Sequence, residues 1–510
     1  AVVVAVFNAI FIAQIAGYLD IRSAGVSVRE SAESLEGWQV IAIVTVAFLV
    51  IAPFFSPVAA LQSGDMDMTV AAWERGGVNG PGAVTVWDNS FDWMQNETPA
   101  PGTLGGVDNQ IDPRGTYERP ADGDWEYDEG AYGVQSWWDY GHWMTVRGDR
   151  IANANPFQQG ASEAARFLLA PNETAANTAL ADQMGDDGET RYVMLDWKLA
   201  APSSQKFGAP LVFNDNVSRS DLAEIAYPVV ETGQGERFRQ PIRLRTQRDY
   251  KSMRVRLYSF HGSAVNPRPI VTDTNRTTAS AGGDQVQVTT FEQGDGIRTF
   301  DTLDRARTFV GETPGARIGG IGANPSERID ALDHYRLVHA SEVLGSVDGR
   351  YRRDIRQTSQ LTGLSVNQLF RNSPSWVKTF EKVSGATVEG SGAPSGAEVR
   401  ATVRMQNPAT DQTFQYTQYA SADGNGNFAM TLPYSTTGYD DFGPDNGYTN
   451  VSVRATGEYQ FQATDGGEVY LGRAAVDEAK VVGVDETPVD VQLSQEQIQQ
   501  ITQQTTQAAG

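Results

Sequence analysis

Residues Val134 to Gly148 read VQSWWDYGHWMTVRG, and the five residues WWDYG at Trp137 to Gly141 decide how the rest of the chain is read. Two indoles, a carboxylate, a phenol and a glycine stand side by side, with His142 and Trp143 directly behind them. A helix would spread such neighbours around its axis, and a strand would alternate them between two faces. The run therefore predicts a turn that gathers several side chains on one small target. Indole N–H groups only donate hydrogen bonds, and a carboxylate only accepts them. Two donors and one acceptor match an aliphatic hydroxyl such as that of Ser or Thr. Its proton goes to Asp139, and its lone pairs meet Trp137 and Trp138. A site built around an OH rejects the analogue without one by about 10⁴-fold or more, because its own buried polar groups are then unpaired. Tyr140 and Gly141 are expected to shape the turn. The competing reading makes the indoles core and Asp139 a helix cap.

The chain around this run has 510 residues, room for about three domains. Its 63 acidic residues outnumber 40 basic ones, giving a formal charge of −23. Only six of the basic residues are lysine. Excess carboxylate with few lysines keeps a protein soluble at high salt, as on a halophile's surface. No basic stripe is evident in the sequence, so no nucleic-acid partner is expected. The absence of cysteine excludes disulfides, thiolate nucleophiles and zinc–thiolate centres.

Two apolar runs precede the acidic part. Ala1 to Leu19 is uncharged and about one membrane span long, and Gly37 to Leu61 is a second run of spanning length. Residues 1–62 therefore predict a transmembrane helical hairpin. Arg22 and Arg29 in its loop place that loop in the cytoplasm and Gln62 onward outside. With no initial methionine, the chain is expected to be the C-terminal part of a longer multi-pass cell-membrane protein, or a processed one, with an extracellular globular part.

Residues 63–375 are expected to form a mixed α/β core. Gln62 to about Gly130 is irregular, rich in Gly, Pro and Asp. Ser162–Ala170 and Ala176–Asp187 have helical spacing, Arg191–Trp197 reads as a buried strand, Ser252–Phe260 suits helix or strand, and Glu327–Ser341 is mixed. From residue 376 to 492, short alternating runs between Gly/Ser turns predict a β-sandwich. Residues 493–510 are Gln/Thr-rich and read as a disordered tail. The expected fold class is a membrane-anchored α+β protein: hairpin, mixed α/β core, C-terminal sandwich.

The run Trp137–Gly141 resembles the WWDYG signature of oligosaccharyltransferase catalytic subunits, membrane enzymes of asparagine-linked glycosylation. The resemblance, to the archaeal form, covers Ser136–Gly160 and continues more weakly to about Ala340. It implies that Trp137, Trp138 and Asp139 hold the +2 Ser/Thr hydroxyl of an Asn-x-Ser/Thr acceptor. A second family element, DxxKxxxM or DxxKxxxI, places its lysine on Lys206. Ser203 then stands where aspartate is expected and Pro210 where Met or Ile is expected, with Asp196 a spatial substitute for the aspartate. His142 becomes a pocket residue by adjacency. The resemblance further implies a membrane enzyme that moves a glycan from a dolichol phosphate or pyrophosphate carrier to the acceptor asparagine. Its partners are acceptor polypeptides and the lipid-linked oligosaccharide. A divalent ion, Mn or Mg, is implied with its ligands and the catalytic carboxylates on membrane loops outside this chain, so no metal site is expected within it.

Other stretches carry weaker signals. The acidic turns at Asp186–Glu189 and Asp440–Gly447 lack EF-hand spacing. His334 and His339 are five apart, not the four of a zincin helix. Sequons begin at Asn96, Asn172, Asn216, Asn275 and Asn450 and are candidate glycan acceptors. Two other functions compete with transfer: a membrane-anchored surface or adhesion protein, and a carbohydrate hydrolase with two carboxylates about 5–10 Å apart in a cleft.

Overall fold

A computed structural model of the chain describes residues 82–118, 126–185, 188–281, 284–371 and 374–496. The expected hairpin at 1–62 lies outside these residues. Among the described residues, no helix is long and apolar enough to cross a membrane.

A mixed five-stranded sheet organises the first half: β1 (Gly133–Gln135), β2 (Ile151–Ala152), β3 (Thr190–Asp196), β4 (Tyr335–Ala340) and β5 (Val377–Lys382), in spatial order β4-β5-β3-β1-β2. β1 runs parallel to both β2 and β3, while β5 pairs antiparallel with β3 and β4. All seven residues of β3 are buried, as expected for a central strand covered on both faces. Helices Ala161–Leu169 and Glu173–Met184 pack nearby. The first buries the apolar face of SEAARFLL, and the second starts where Asn172 accepts a hydrogen bond from the Ala175 amide.

Polar side chains hold the centre of this sheet. Glu381 on β5 is fully buried and accepts from Arg191 of β3 (2.9 and 3.0 Å), Arg336 of β4 (2.7 and 2.9 Å) and the Thr449 hydroxyl (2.6 Å). Arg336 also forks onto Glu478 at 2.6 and 2.8 Å, and Ser435 donates to that carboxylate. Burial works against the Arg336 charge, but Glu478 and Glu381 outweigh it and hold its pKa above the ordinary value. Burial likewise disfavours the Glu381 anion, and Arg336 and Arg191 more than reverse that, keeping its pKa low.

Four differences from the sequence reading have local causes. Within the stretch read as irregular, α1 (Asp88–Glu97) is a helix that buries Phe91, Trp93 and Met94; its other positions are polar, which hid the pattern. Ser252–Phe260, open between helix and strand, is a helix at Met253–Phe260, nearly buried all round and therefore without a one-sided stripe. A five-stranded sheet built from Ala223–Thr232, Gly235–Phe238, Ile242–Arg245, Asn275–Ala281 and Asp284–Glu292 went unread. Gly235–Phe238 is exposed throughout, so it lacks apolar alternation. The segment read as the start of a disordered tail is paired: Leu493 is buried, and Ser494–Glu496 adds to strand Glu468–Ala474.

From 386 onward, strands form a three-stranded sheet around Ala386–Ser391 and a six-stranded sheet around Glu398–Asn407. Glu398–Asn407 alternates buried and exposed residues along its length. Val388, Val403, Phe461 and Leu432 from these sheets share one apolar cluster with Trp137 and Tyr192 of the first half.

The buried ionic network supplies a stability test. Replacing Arg336 by Met leaves two buried carboxylates short of a partner, and the expected loss is about 3–5 kcal/mol. Thr449→Val removes one hydrogen bond and costs about 1–3 kcal/mol. Denaturant unfolding of both variants measures the contrast. A loss below about 1 kcal/mol for Arg336→Met rules out a structural role for the network.

Candidate functional site

The WWDYG run sits where β1 ends. Trp137 is extended, Trp138–Tyr140 form a turn of 3₁₀ helix, and α2 (Gly141–Val146) follows. The chain thus bends through the turn that the five residues predicted. β1 and β3 are parallel neighbours, so residues after both strands emerge at the same edge. Ligand sites commonly form there, outside the carboxyl ends of parallel strands. This register brings Asp196, the last residue of β3, beside Tyr140.

The contacts form a polar chain. The Tyr140 hydroxyl donates to Asp196 Oδ2 at 2.6 Å. The Lys206 ammonium lies 3.7 Å from the Tyr140 ring centroid and donates to Asp139 Oδ2 at 2.6 Å. Asp196 is wholly buried and caps the short helix Trp197–Ala200 through the Leu199 amide. Burial raises the pKa of Asp196, while Lys206 and the Tyr140 hydrogen bond oppose the rise. Tyr140 is held well above the ordinary phenol range, by burial first and then by the Asp196 and Asp139 charges.

Two polar atoms in this cluster have no partner: the Trp138 indole N–H and Asp139 Oδ1, both buried. One donor and one acceptor are thus left open beside each other in sequence, as a hydroxyl ligand requires. Lys206 fixes one carboxylate oxygen and leaves the other available. Trp137 is 2% exposed and stands 6.0 Å from Trp138, centroid to centroid. Phe213 packs edge-on against both indoles, at 5.7 and 6.2 Å.

The sequence-predicted residues separate into groups. Trp137, Trp138, Asp139 and Lys206 converge, and Asp196 joins them in space although Ser203 occupies the expected aspartate position. Pro210 is buried, and the apolar contact to the indoles comes three residues later from Phe213. The Tyr140 ring packs at a tilt against Trp87 at 4.5 Å and Trp143 at 5.2 Å. Gly141 has no room for a side chain, since a Cβ would lie 2.0 Å from the Ala154 carbonyl oxygen. Its role is close backbone approach, not unusual dihedral angles. His142 is exposed against Phe157 and takes no part in the cluster's hydrogen bonds. The signal that sequence reading missed in Phe213 is weak, because nothing local ties it to residues more than seventy positions earlier.

The expected sequons differ in surroundings. Asn172 and Asn216 are exposed, and Asn275 is exposed at the start of a strand. Asn96 is exposed, but Thr98 is buried and bonded to Met94 and Arg150. Asn450 donates to Glu97 at 2.6 Å, and its Ser452 accepts from the Trp93 indole at 2.7 Å. His334 pairs with Glu173 and His339 stacks on Trp93, so the two histidines serve separate surroundings.

The donor set does not fit a divalent ion. Asp139 is already paired with an ammonium, and among the described residues no group of three His, Asp or Glu side chains is arranged to hold a metal. Asp196 and Asp139 are also unsuited as a hydrolase pair, because Asp196 is sealed from solvent.

Two family models match the chain: the AglB core domain over residues 84–200, and the archaeal glycosylation protein B long peripheral domain over 385–491. The dolichyl-monophosphooligosaccharide–protein glycotransferase AglB of Haloferax volcanii is 45% identical over 97% of this chain and 47% of its own length. The chain belongs to the AglB family. Dolichyl-phosphooligosaccharide–protein glycotransferase 3 of Archaeoglobus fulgidus is 23% identical over 68% of the chain and 37% of its length. The chain therefore spans under half of each of these relatives. In fold it is similar to the Archaeoglobus fulgidus oligosaccharyltransferase tethered to an acceptor peptide with an NVT sequon (TM-score 0.51, 17% identity, 94% of this chain and 50% of that one). A second match is AglB of the same organism with an inhibitory peptide and a dolichol-phosphate (TM-score 0.50, 16% identity, 96% and 50%).

The Tyr140–Asp196 bond offers a check on the site's architecture. Tyr140→Phe leaves a buried carboxylate oxygen short of its donor, and the expected cost is about 1.5–3 kcal/mol in denaturant unfolding. An unchanged midpoint would show that Asp196 finds its support elsewhere.

Proposed function

We propose that this chain is the acceptor-reading part of an archaeal oligosaccharyltransferase, which transfers a glycan from a dolichol-phosphate-type carrier to the asparagine of Asn-x-Ser/Thr sequons. The observation that carries the reading is the pair of open, buried polar atoms at Trp138 Nε1 and Asp139 Oδ1, in a carboxylate pinned by Lys206. The +2 hydroxyl donates its proton to Asp139 and accepts from the indole. Phe213 and the indole rings give an apolar wall for a threonine methyl. A +2 side chain without the hydroxyl leaves both polar atoms buried and unpaired.

Transfer itself makes a bond between the acceptor amide nitrogen and the sugar's anomeric carbon and releases one amide proton, while the bond from that carbon to the carrier phosphate breaks and the phosphate leaves with the electron pair. The carboxylates that activate the amide, and a divalent ion, Mn or Mg, lie outside this chain. What Trp138, Asp139 and Lys206 contribute is registration: holding the +2 residue sets where the asparagine, two residues earlier, is presented. The apolar runs before Leu61 anchor this part in the cell membrane, and Gln62 onward lies outside, where acceptors are met. The names of its relatives favour transfer over the adhesion and hydrolase readings.

The test is a transfer assay on membranes carrying the full-length parent, with a labelled Asn-x-Thr peptide. Asp139→Ala is expected to lower transfer about 10- to 100-fold. An Asn-x-Val peptide is expected to be rejected by about 10⁴-fold. Full activity in a folded Asp139→Ala protein, or no transfer by the parent, overturns the reading.

The sequons give a second outcome. A transferase needs an accessible asparagine and a free +2 hydroxyl, so glycopeptide mass spectrometry of the native protein is expected to find glycan at Asn172 or Asn275, and not at Asn216, whose Ser218 hydroxyl donates to Asp221 at 2.7 Å. Stoichiometric glycan at Asn96 or Asn450 would contradict the engagement of Thr98 and Ser452.

A further inference from the structure

A groove of about 860 Å³ runs between helix α3 (Gly349–Thr362) and the turn that joins strands Glu398–Asn407 and Gln412–Ser421. Four arginines line it, Arg268, Arg352, Arg356 and Arg371, and among the described residues no carboxylate does. In a chain with 63 acidic residues against 40 basic ones, such a wall is the reverse of the average surface.

The arginines are not neutralised from within. Arg268 donates to the carbonyls of Asn367 and Gln368 at 3.1 and 3.3 Å. Arg371 donates to those of Ala323 and Asn266 at 3.0 and 2.7 Å. Arg352 reaches the Ser346 carbonyl at 3.1 Å. Arg356 has no hydrogen bond or ion pair among the described residues. Burial, with the repulsion of Arg268 added, pulls Arg371 down to about 10.

The wall mixes apolar side chains, Leu344, Ile355 and Val366 among them, with polar groups that are underused. The Tyr351 hydroxyl, His261 Nδ1 and the Thr410 hydroxyl all face burial without a partner. Tyr351 and His261 are 4% and 3% exposed. Gln360, Asn367 and Gln412 add amides, each able to donate and accept. Phe370 and Phe414 give aromatic surface. Guanidinium forks match the oxygens of a carboxylate or phosphate. Amides and hydroxyls that both donate and accept match the many hydroxyls of a sugar. The groove also falls in the size range of small-ligand sites.

We propose that this groove binds an anionic carbohydrate, a saccharide bearing carboxylate or phosphate groups, with exposed Arg352 and Arg356 at its mouth and half-buried Arg268 and Arg371 deeper. One wall, with Thr410 and Gln412, belongs to the part matching the long peripheral domain, and the arginines come from the segment before it. The site therefore needs both parts. It shares no lining residue with the Trp137–Asp139 site, and binding alone tests it.

The experiment is calorimetric titration of the full chain in detergent, at one fixed salt concentration. The probes are trigalacturonate, glucose 6-phosphate, neutral maltotriose and hexaglutamate. Trigalacturonate or glucose 6-phosphate is expected to bind, which of the two separating a carboxylate from a phosphate ligand. Maltotriose is expected not to bind. Arg356→Glu, at a side chain with no structural bond to lose, is expected to weaken binding at least about tenfold. Arg352→Gln is expected to weaken it less, and Arg353→Glu, exposed on α3 but outside the groove wall, to leave it unchanged. No saccharide binding, equal affinity for maltotriose, tighter binding of hexaglutamate, or unchanged affinity in Arg356→Glu overturns the proposal.

Discussion

The structure turns on one buried carboxylate. Glu381 has no access to water, and the guanidinium groups of Arg191 and Arg336, helped by the Thr449 hydroxyl, make its charge tolerable there. Those partners sit on the two strands flanking β5, so the ion network fixes the register of three strands at once. The same pairing places Val377 opposite Asp196 at the far end of β3. A one-residue slip would turn Glu381 away from both arginines and Asp196 away from Tyr140, because neighbours on a strand point to opposite faces. The site's geometry is in this sense set from the opposite end of the sheet.

Within the site, stability and positioning are divided. Asp196 and the Tyr140 hydroxyl are sealed in and carry the structural weight. Asp139 and Lys206 are each about a quarter to a third exposed, so their ion pair contributes little to folding. Its effect is directional. Lys206 is itself held over the Tyr140 ring, which fixes the ammonium and through it one oxygen of Asp139. The other oxygen is left without a partner, as is the indole N–H of the preceding Trp138.

How much of this was legible in the sequence follows from distance along the chain. The WWDYG turn was legible because its five residues are contiguous, and the alternation in Glu398–Asn407 because a strand on a core writes its own pattern. Lys206, reached through the spacing of a family element that Ser203 and Pro210 break, lies against Asp139. In the structure Asp196, at the end of a strand parallel to β1, accepts from Tyr140, and Phe213 packs edge-on against Trp137. Parallel pairing joins residues that no local spacing connects. The Arg191–Glu381–Arg336–Glu478 network was illegible for the same reason, since its members span nearly three hundred positions. The arginine groove was missed because four arginines spread over a hundred residues make no stripe in one dimension.

The C-terminal sheets are part of the site's foundation. The Asn450 amide donates to the Glu97 carbonyl at 2.8 Å, the Trp93 indole to Ser452 at 2.7 Å, and the Gly105 amide to the Gly447 carbonyl at 2.9 Å. These bonds tie the peripheral part to α1 and the loop after it. α1 carries Phe91, which stacks at 5.6 Å on Trp87, and Trp87 lies against Tyr140. Arg336 ties the same part to the central sheet through Glu478. Two of the five sequons have been absorbed into this joint, their asparagine or hydroxyl groups engaged in holding α1. A part attached by a flexible link would not need to engage such groups, nor share one apolar cluster with Trp137. The turn that carries Trp138 and Asp139 is supported by aromatic rings next to a helix that is clamped by the C-terminal sheets, so the two matched domains share one foundation around it.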